Sequence, residues 1–160
     1  MTREDFIRHV EATQKPFRRF LVALCCGDSQ LADDIAQESY IKGYLSSDGF
    51  RDSDKFASWI YRIGYNTFLN HRRSLKPYSG YAEAEKVSAE EKADSAFRYQ
   101  ALYSALDRLS PTERTSILLY YMEGYSIREI SKIENVSEDA VKKHLQRGRQ
   151  HLKGILSEKD

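Results

Sequence analysis

Cysteine is almost missing from this chain: Cys25 and Cys26 are its only two, and they are adjacent. Neighbouring thiols cannot staple distant segments, and without a second pair they make no zinc site. Stability must then come from buried apolar surface, as suits a reducing cytoplasm. Long apolar runs and a signal peptide are also lacking, so neither membrane insertion nor secretion is expected. Three prolines and eight glycines among 160 residues leave long helical patterns largely uninterrupted. Excess charge is missing too: the net charge is +1 and the isoelectric point about 7.7. A protein that binds nucleic acid strongly by itself is usually far more basic. One absence is local, for no acidic residue occurs from Ala140 to Lys153.

What is present has helical periodicity, and 41% hydrophobic residues suffice for one moderate core or two small ones. The last third is the most informative stretch. Ser126 with Glu129 forms a capping box, Ile127, Ile130 and Ile133 give a short helix one apolar stripe, and Asn135 supplies a residue that tolerates the left-handed conformation of a tight exit. Ser137 is the next N-cap. Val141, Leu145, Gly148, Leu152 and Ile155 then recur at helical spacing. The other face carries Lys142, Lys143, Gln146, Arg147, Arg149 and Lys153. This is the pattern of a helix-turn-helix whose second helix enters a major groove. Ser137, Glu138, Asp139, Lys142, Lys143 and Gln146 would face bases, and Arg147, Arg149 and Lys153 phosphates. Glu138 and Asp139 have a plainer reading as first-turn acids favoured by the helix dipole, although a carboxylate can also accept from a cytosine amino group.

Upstream, Thr2 and Asp5 can cap a first helix whose apolar residues include Phe6, Ile7 and Val10, and Pro16 is expected to break or kink it. Phe17, Phe20, Leu21 and Leu24 continue the stripe. A helix from Gln30 to about Leu45 buries Leu31, Ala32, Ile35 and Tyr40 and leaves a second strip of Asp34, Gln37, Glu38 and Ile41. That strip can be a partner-docking surface or merely solvated; as a metal site it lacks converging ligands, with no Glu-x-x-His and no histidine cluster to complete it. After the polar loop Ser46 to Asp54, a helix from Lys55 sets Phe56, Ile60, Ile63 and Thr67 inward, with Trp59, Arg62, Tyr65, Asn66, Arg72 and Arg73 over the rest. Aromatics interleaved with cations suit single-stranded nucleic acid, and they also suit plain packing. Residues from Leu75 to about Val87 lack periodicity and read as a linker, and the net charges of residues 1–73, 74–95 and 96–160 are +1, −2 and +2. Ser88 with Glu91 opens a further helix, and Ser110, Pro111 and Glu113 together open another, carrying Ile117, Leu118, Tyr121 and Met122 and ending at Gly124. The expectation is an all-α protein of two small helical domains joined by an acidic linker, 1–74, 75–95 and 96–160.

Taken together, these motifs resemble the small, two-domain sigma factors of the extracytoplasmic-function (ECF) group. Ala32-Asp33-Asp34-Ile35-Ala36-Gln37-Glu38 is similar to the segment that binds the clamp helices of core RNA polymerase. Lys55 to Asn66 resembles the promoter-melting segment, Arg72-Arg73 its basic end, and Ala105 through Arg149 the domain that reads the upstream element. The resemblance implies polymerase binding by Asp33, Asp34, Gln37, Glu38 and Ile41. It implies minus-ten contacts by Lys55, Trp59, Arg62, Asn66, Asn70, Arg72 and Arg73, with the loop Ser46 to Ser53. Minus-thirty-five contacts fall to Ser137, Glu138, Asp139, Lys142, Lys143, Gln146, Arg147 and Arg149. It further implies core RNA polymerase, promoter DNA and an anti-sigma factor as partners, a cytoplasmic location, and neither a cofactor, a metal nor enzymatic activity of its own. Asn70 stands where the family often has aspartate, and Asn135 where it often has glycine. A stand-alone regulator binding duplex DNA explains the C-terminal half equally well, but leaves Asp33 to Glu38 and the Trp59 helix without purpose.

Overall fold

In the computed structural model, residues 1–50, 55–74 and 93–157 are described, with side chains at 1–50, 55–73 and 99–157. Their regular elements are all helical: α1 (Arg3–Leu24), α2 (Ser29–Ser46), a short 3-10 turn (Ser47–Gly49), α3 (Phe56–Ser74), α4 (Ala93–Asp107), α5 (Pro111–Ile117), a π-helical turn (Leu118–Met122), α6 (Ile127–Glu134) and α7 (Glu138–Ser157). The tip of the loop at 51–54, the linker and the Ser88–Glu91 box lie outside the described residues.

Local chemistry sets most of the starts. Thr2 Oγ1 accepts from the Asp5 amide at 3.1 Å, and the Asp28 carboxylate from the Leu31 amide at 3.1 Å. Ser110 with Glu113 and Ser126 with Glu129 form complete capping boxes, the first with Pro111 at the opening helical position. Cys26 (φ 54°) and Gly27 (φ 95°) turn the chain out of α1 in left-handed conformations.

Pro16 does not end α1. It removes one helical hydrogen bond and crowds the preceding turn, a loss of about 3 kcal/mol. Phe17, Phe20, Leu21 and Leu24 beyond it are each 0% exposed, and burial of one such side chain contributes about 1.5–3 kcal/mol. Tertiary burial therefore outweighs the local penalty. One helical face also differs from expectation: Tyr65, placed among the outward residues of its helix, is only 4% exposed.

The first half packs α1, α2 and α3 around aromatic rings: Tyr61 lies 5.2 Å from Phe17 and 5.0 Å from Phe20, and Phe6 sets its edge on Phe56 at 5.6 Å. In the second half α5, α6 and α7 enclose Leu119, Ile130, Ile133 and Val141, all at most 1% exposed. The two halves share a continuous core. α6 packs on α3, and α5 and the π-helical turn pack on α1. The Arg114 guanidinium crosses this junction, donating to the carbonyls of Leu106 (2.8 Å), Leu109 (3.2 Å) and Leu24 (2.8 Å) at the ends of α4 and α1. A buried cation thus caps carbonyls at the ends of two helices.

Candidate nucleic-acid interface

The helix-turn-helix is built as its caps foretold. α6 ends at Asn135 in the left-handed region (φ 57°, ψ 50°), and Ser137 Oγ accepts from the Ala140 amide at 3.1 Å to start α7. α7 lies very close to α5: a Cβ added at Gly148 would meet Ile117 Cγ1 at 2.8 Å. With Val141, Leu145, Gly148 and Ile155 buried, Ser137, Glu138, Asp139, Lys142, Lys143, Gln146, Arg147, Arg149 and Lys153 are all exposed. Arg149 donates to the Tyr121 hydroxyl at 3.1 Å, so its head is held against the body of the domain.

The inner edge of α7 carries polar groups that the sequence reading passed over. His151 Nδ1 lies 2.9 Å from Glu113 Oε1. Burial pushes the Glu113 carboxyl upward, but the His151 hydrogen bond and the Ser110 amide more than offset it, leaving it below the usual carboxylate range. His144 is 3.5 Å from Ser116 Oγ and 3.9 Å from Glu134 Oε1. Its spacing, three residues after Val141 and four before Gly148, was the available signal, since that puts it on the buried side of a helix.

On α3 the minus-ten candidates form a second strip. Trp59, Arg62, Asn66, Asn70 and Arg73 recur at three- and four-residue steps, with Lys55 at the head and Arg72 beside the tail. All are exposed except Trp59, which is half-buried. The Trp59 ring stacks on Phe50 (4.5 Å, 15°) and meets Phe56 edge-on at 5.6 Å, so its orientation is fixed before any base arrives.

On α2, Asp34, Gln37, Glu38 and Ile41 line up as a third strip, with Ile41 60% exposed. Asp33 stands off it, bound by Arg18 of α1 at 2.8 and 3.4 Å. Glu38 lies 3.5 Å from Lys42 Nζ and 3.3 Å from His71 Nε2, which joins the α2 strip to the end of the α3 strip. The α7 face is carried by different elements. Among the described residues no group of three or more His, Cys, Asp or Glu side chains can hold a metal ion. Burial raises both thiols, Cys26 to about 11, so neither is a ready nucleophile. No helix among the described residues is long and apolar enough to cross a membrane.

A basic helix-turn-helix behind an aromatic and cationic helix is an arrangement suited to a two-part DNA-binding regulator. Comparison with known proteins agrees: sigma-70 region 2 matches residues 9–77 and sigma-70 region 4 matches residues 99–152. The ECF RNA polymerase sigma factor SigW of Bacillus subtilis (strain 168) is 32% identical over 146 residues, covering 81% of this chain and 78% of its own. SigM of the same organism is 28% identical, covering 87% of each, and the RNA polymerase sigma factor CarQ of Myxococcus xanthus is 24% identical, covering 97% and 91%. Two solved structures share the fold. A sigma factor RpoE in complex with the anti-sigma factor NepR from Bartonella quintana gives a TM-score of 0.74 at 20% identity, covering 96% of this chain and 98% of that one. CnrH in complex with the cytosolic domain of CnrY gives 0.61 at 22%, covering 99% and 98%.

The chain belongs to the ECF sigma factors. It is an alternative sigma factor that directs promoter-specific transcription initiation. The region 2 match gives the first half the purpose that a stand-alone duplex-binding regulator would leave it without.

Proposed function

We propose that the three exposed strips divide the work of initiation. Residues 1–74 act as the polymerase-binding and promoter-melting domain and residues 96–160 as the upstream reader, joined by 75–95. Asp34, Gln37, Glu38 and Ile41, with Asp33 at the flank, dock on the clamp helices of core RNA polymerase. Lys55, Trp59, Arg62, Asn66, Asn70, Arg72 and Arg73 hold the minus-ten element as single strand. Stacking on an aromatic ring contributes about 1–3 kcal/mol per base, comparable to the few kcal/mol needed to unstack one step. Binding therefore offsets opening. Ser137, Glu138, Asp139, Lys142, Lys143, Gln146, Arg147 and Arg149 meet the minus-thirty-five duplex, with bases read from the N-terminal turns and phosphates gripped further along.

Nucleotidyl transfer belongs to the polymerase, so this chain performs no catalysis itself and acts in the cytoplasm, where the enzyme is. One structural neighbour, the sigma factor RpoE, is bound to the anti-sigma factor NepR, which supports such a partner here. The observation that carries the reading is the succession of region 2 and region 4 on one chain with all three strips facing outward. Run-off transcription with sigma-free core polymerase and fragments of the source genome tests it. Discrete new transcripts are expected. A folded protein that yields none and does not co-elute with core would overturn it.

A further inference from the structure

The connection between α5 and α6 presents a side chain that none of the three strips uses. Tyr121, on the π-helical turn, is 58% exposed, so core packing does not account for its orientation. The ring is held all the same. Tyr120 meets it edge-on at 5.0 Å and 74°, and its hydroxyl accepts from Arg149 Nη1 of α7 at 3.1 Å, a bond across 28 positions of sequence.

Arg149 puts this pair on the duplex side of the domain. Lys142, Gln146, Arg149 and Lys153 recur at four- and three-residue steps, so they share one face of α7. Val141, Leu145 and Gly148 are buried against the body of the domain. Tyr121 therefore stands at the rim where that body meets the proposed DNA face. Nothing acidic on α7 offsets the pair, for no acidic residue occurs from Ala140 to Lys153. Glu123, the nearby acid of the same connection, is turned elsewhere: its carboxylate accepts from Arg19 Nη2 and from the Tyr61 hydroxyl, each at 2.7 Å.

The two groups suit one kind of acceptor. A phenol oxygen that accepts one bond can still donate its own proton, and a guanidinium offers several N–H groups, of which this bond occupies one. Fixed side by side, they aim a neutral donor and charge-assisted donors at a single anion. A backbone phosphate is such an anion, and in a helix-turn-helix the first helix crosses the DNA backbone. Tyr121 lies just ahead of that helix, α6.

We infer that Tyr121 and Arg149 form a two-sided clamp on one backbone phosphate of the upstream duplex, in which Tyr121 is both a ligand and the residue that sets the Arg149 head. The clamp rests on the proposed function, since it needs α7 to lie on duplex DNA. A phosphate contact carries no sequence information, so it adds grip and register, and any duplex serves as the probe.

Fluorescence anisotropy of a labelled mixed-sequence duplex of about 30 base pairs, titrated with the full chain between about 50 and 200 mM salt, tests it. Tyr121→Phe should weaken binding about five-fold, as loss of one hydrogen bond does, with the salt slope unchanged because a phenol displaces no counterion. Arg149→Ala should weaken binding and reduce the slope by about 0.9. In that background Tyr121→Phe should cost less than about two-fold, because the phenol is aimed only while the guanidinium holds its oxygen. Melting followed by circular dichroism should not change with Tyr121→Phe. If it does, Arg149→Lys decides: lysine keeps the charge and the slope but lacks the planar fork that reaches phenol and phosphate together, so it should bind more weakly than the wild type. An Arg149→Lys chain that binds as the wild type does would overturn the clamp. So would Tyr121→Phe binding as well as the wild type, or better, as it would if the phenol held Arg149 away from DNA. So would an equal loss with and without Arg149. Weakening by Lys142→Ala with Lys143→Ala but not by Tyr121→Phe sinks the clamp and keeps the duplex reading of α7. A wild type that ignores the duplex even at about 50 mM salt sinks both.

Discussion

Replacing Glu134 by glutamine isolates the largest electrostatic strain among the described residues of the helix-turn-helix. The carboxyl ends α6 with its side chain 1% exposed. One oxygen accepts from Ser116 Oγ at 2.6 Å, and the other, Oε1, has no hydrogen-bond partner. Burial pushes its pKa from 4.5 up to about 7, the Ser116 bond pulling weakly the other way. His144 is the nearest candidate for a compensating cation, but burial lowers its pKa, so it is not charged when Glu134 ionises. The folded state thus holds the proton more tightly than the unfolded state. Glu134 contributes most below its unfolded pKa, and that contribution is lost as pH rises through about 7. The resulting penalty in the wild type is about 1 kcal/mol at pH 5 and about 3 kcal/mol at pH 8. Glutamine keeps the shape and an oxygen for Ser116 but cannot ionise. Urea unfolding followed by circular dichroism should show the stability of Glu134→Gln relative to wild type improving by about 2 kcal/mol between pH 5 and pH 8. Any fixed cost of the amide cancels in that difference. A difference that is flat in pH, or that falls, refutes the account of Glu134 as a strained carboxylate.

Other expectations are simpler. Gly148→Ala should destabilise by about 1–3 kcal/mol through overpacking against Ile117, whereas Gly154→Ala, with nothing within 4 Å of the added Cβ, should be neutral or slightly stabilising; thermal melts separate the two. Asn135→Ala should cost about 1 kcal/mol because alanine lacks asparagine's tolerance of the left-handed region, and Asn135→Gly should not, as chemical denaturation will report. Glu38→Arg should weaken co-elution with core polymerase without shifting the unfolding midpoint, since Glu38 is 45% exposed. Lys142→Ala with Lys143→Ala should instead lower run-off from promoters that need the upstream element and leave polymerase binding intact.

How much of this was legible beforehand follows from the range of each interaction. Caps are written within four residues, so Thr2, Ser110 with Glu113, Ser126 with Glu129, Asn135 and Ser137 were all readable from the chain alone. Pro16 was expected to break or kink α1, and it does not break it, because its penalty is local while the burial that overrides it comes from α2 and α3. Tyr65 was assigned outward because a single-faced helix was assumed, but α3 is covered by α1 and α2 on one side and by α6 on another. The Arg114 to Leu24 and Arg19 to Glu123 bonds join residues 90 and 104 positions apart, and no periodicity within either segment encodes such a pairing. The exposed strips were easier for the opposite reason: a side chain left in water needs no partner, so helical spacing alone locates it.

The near-neutral net charge then takes on a mechanistic meaning. On α7 the cations Lys142, Lys143, Arg147, Arg149 and Lys153 are exposed, but Arg149 is already engaged by Tyr121. If all five reached phosphates, the salt slope of duplex binding would be only about −4.5, at roughly −0.9 per contact. Affinity from so few contacts is modest at physiological salt. Tethering changes this, because a second binding event on one chain sees an effective concentration of about millimolar when the linker spans the sites. A weakly basic reader held by polymerase at the right distance can therefore discriminate promoters, and released it lets go of DNA. Under the proposed function, this economy of charge would make the free protein a poor DNA binder and its specificity a property of the assembly.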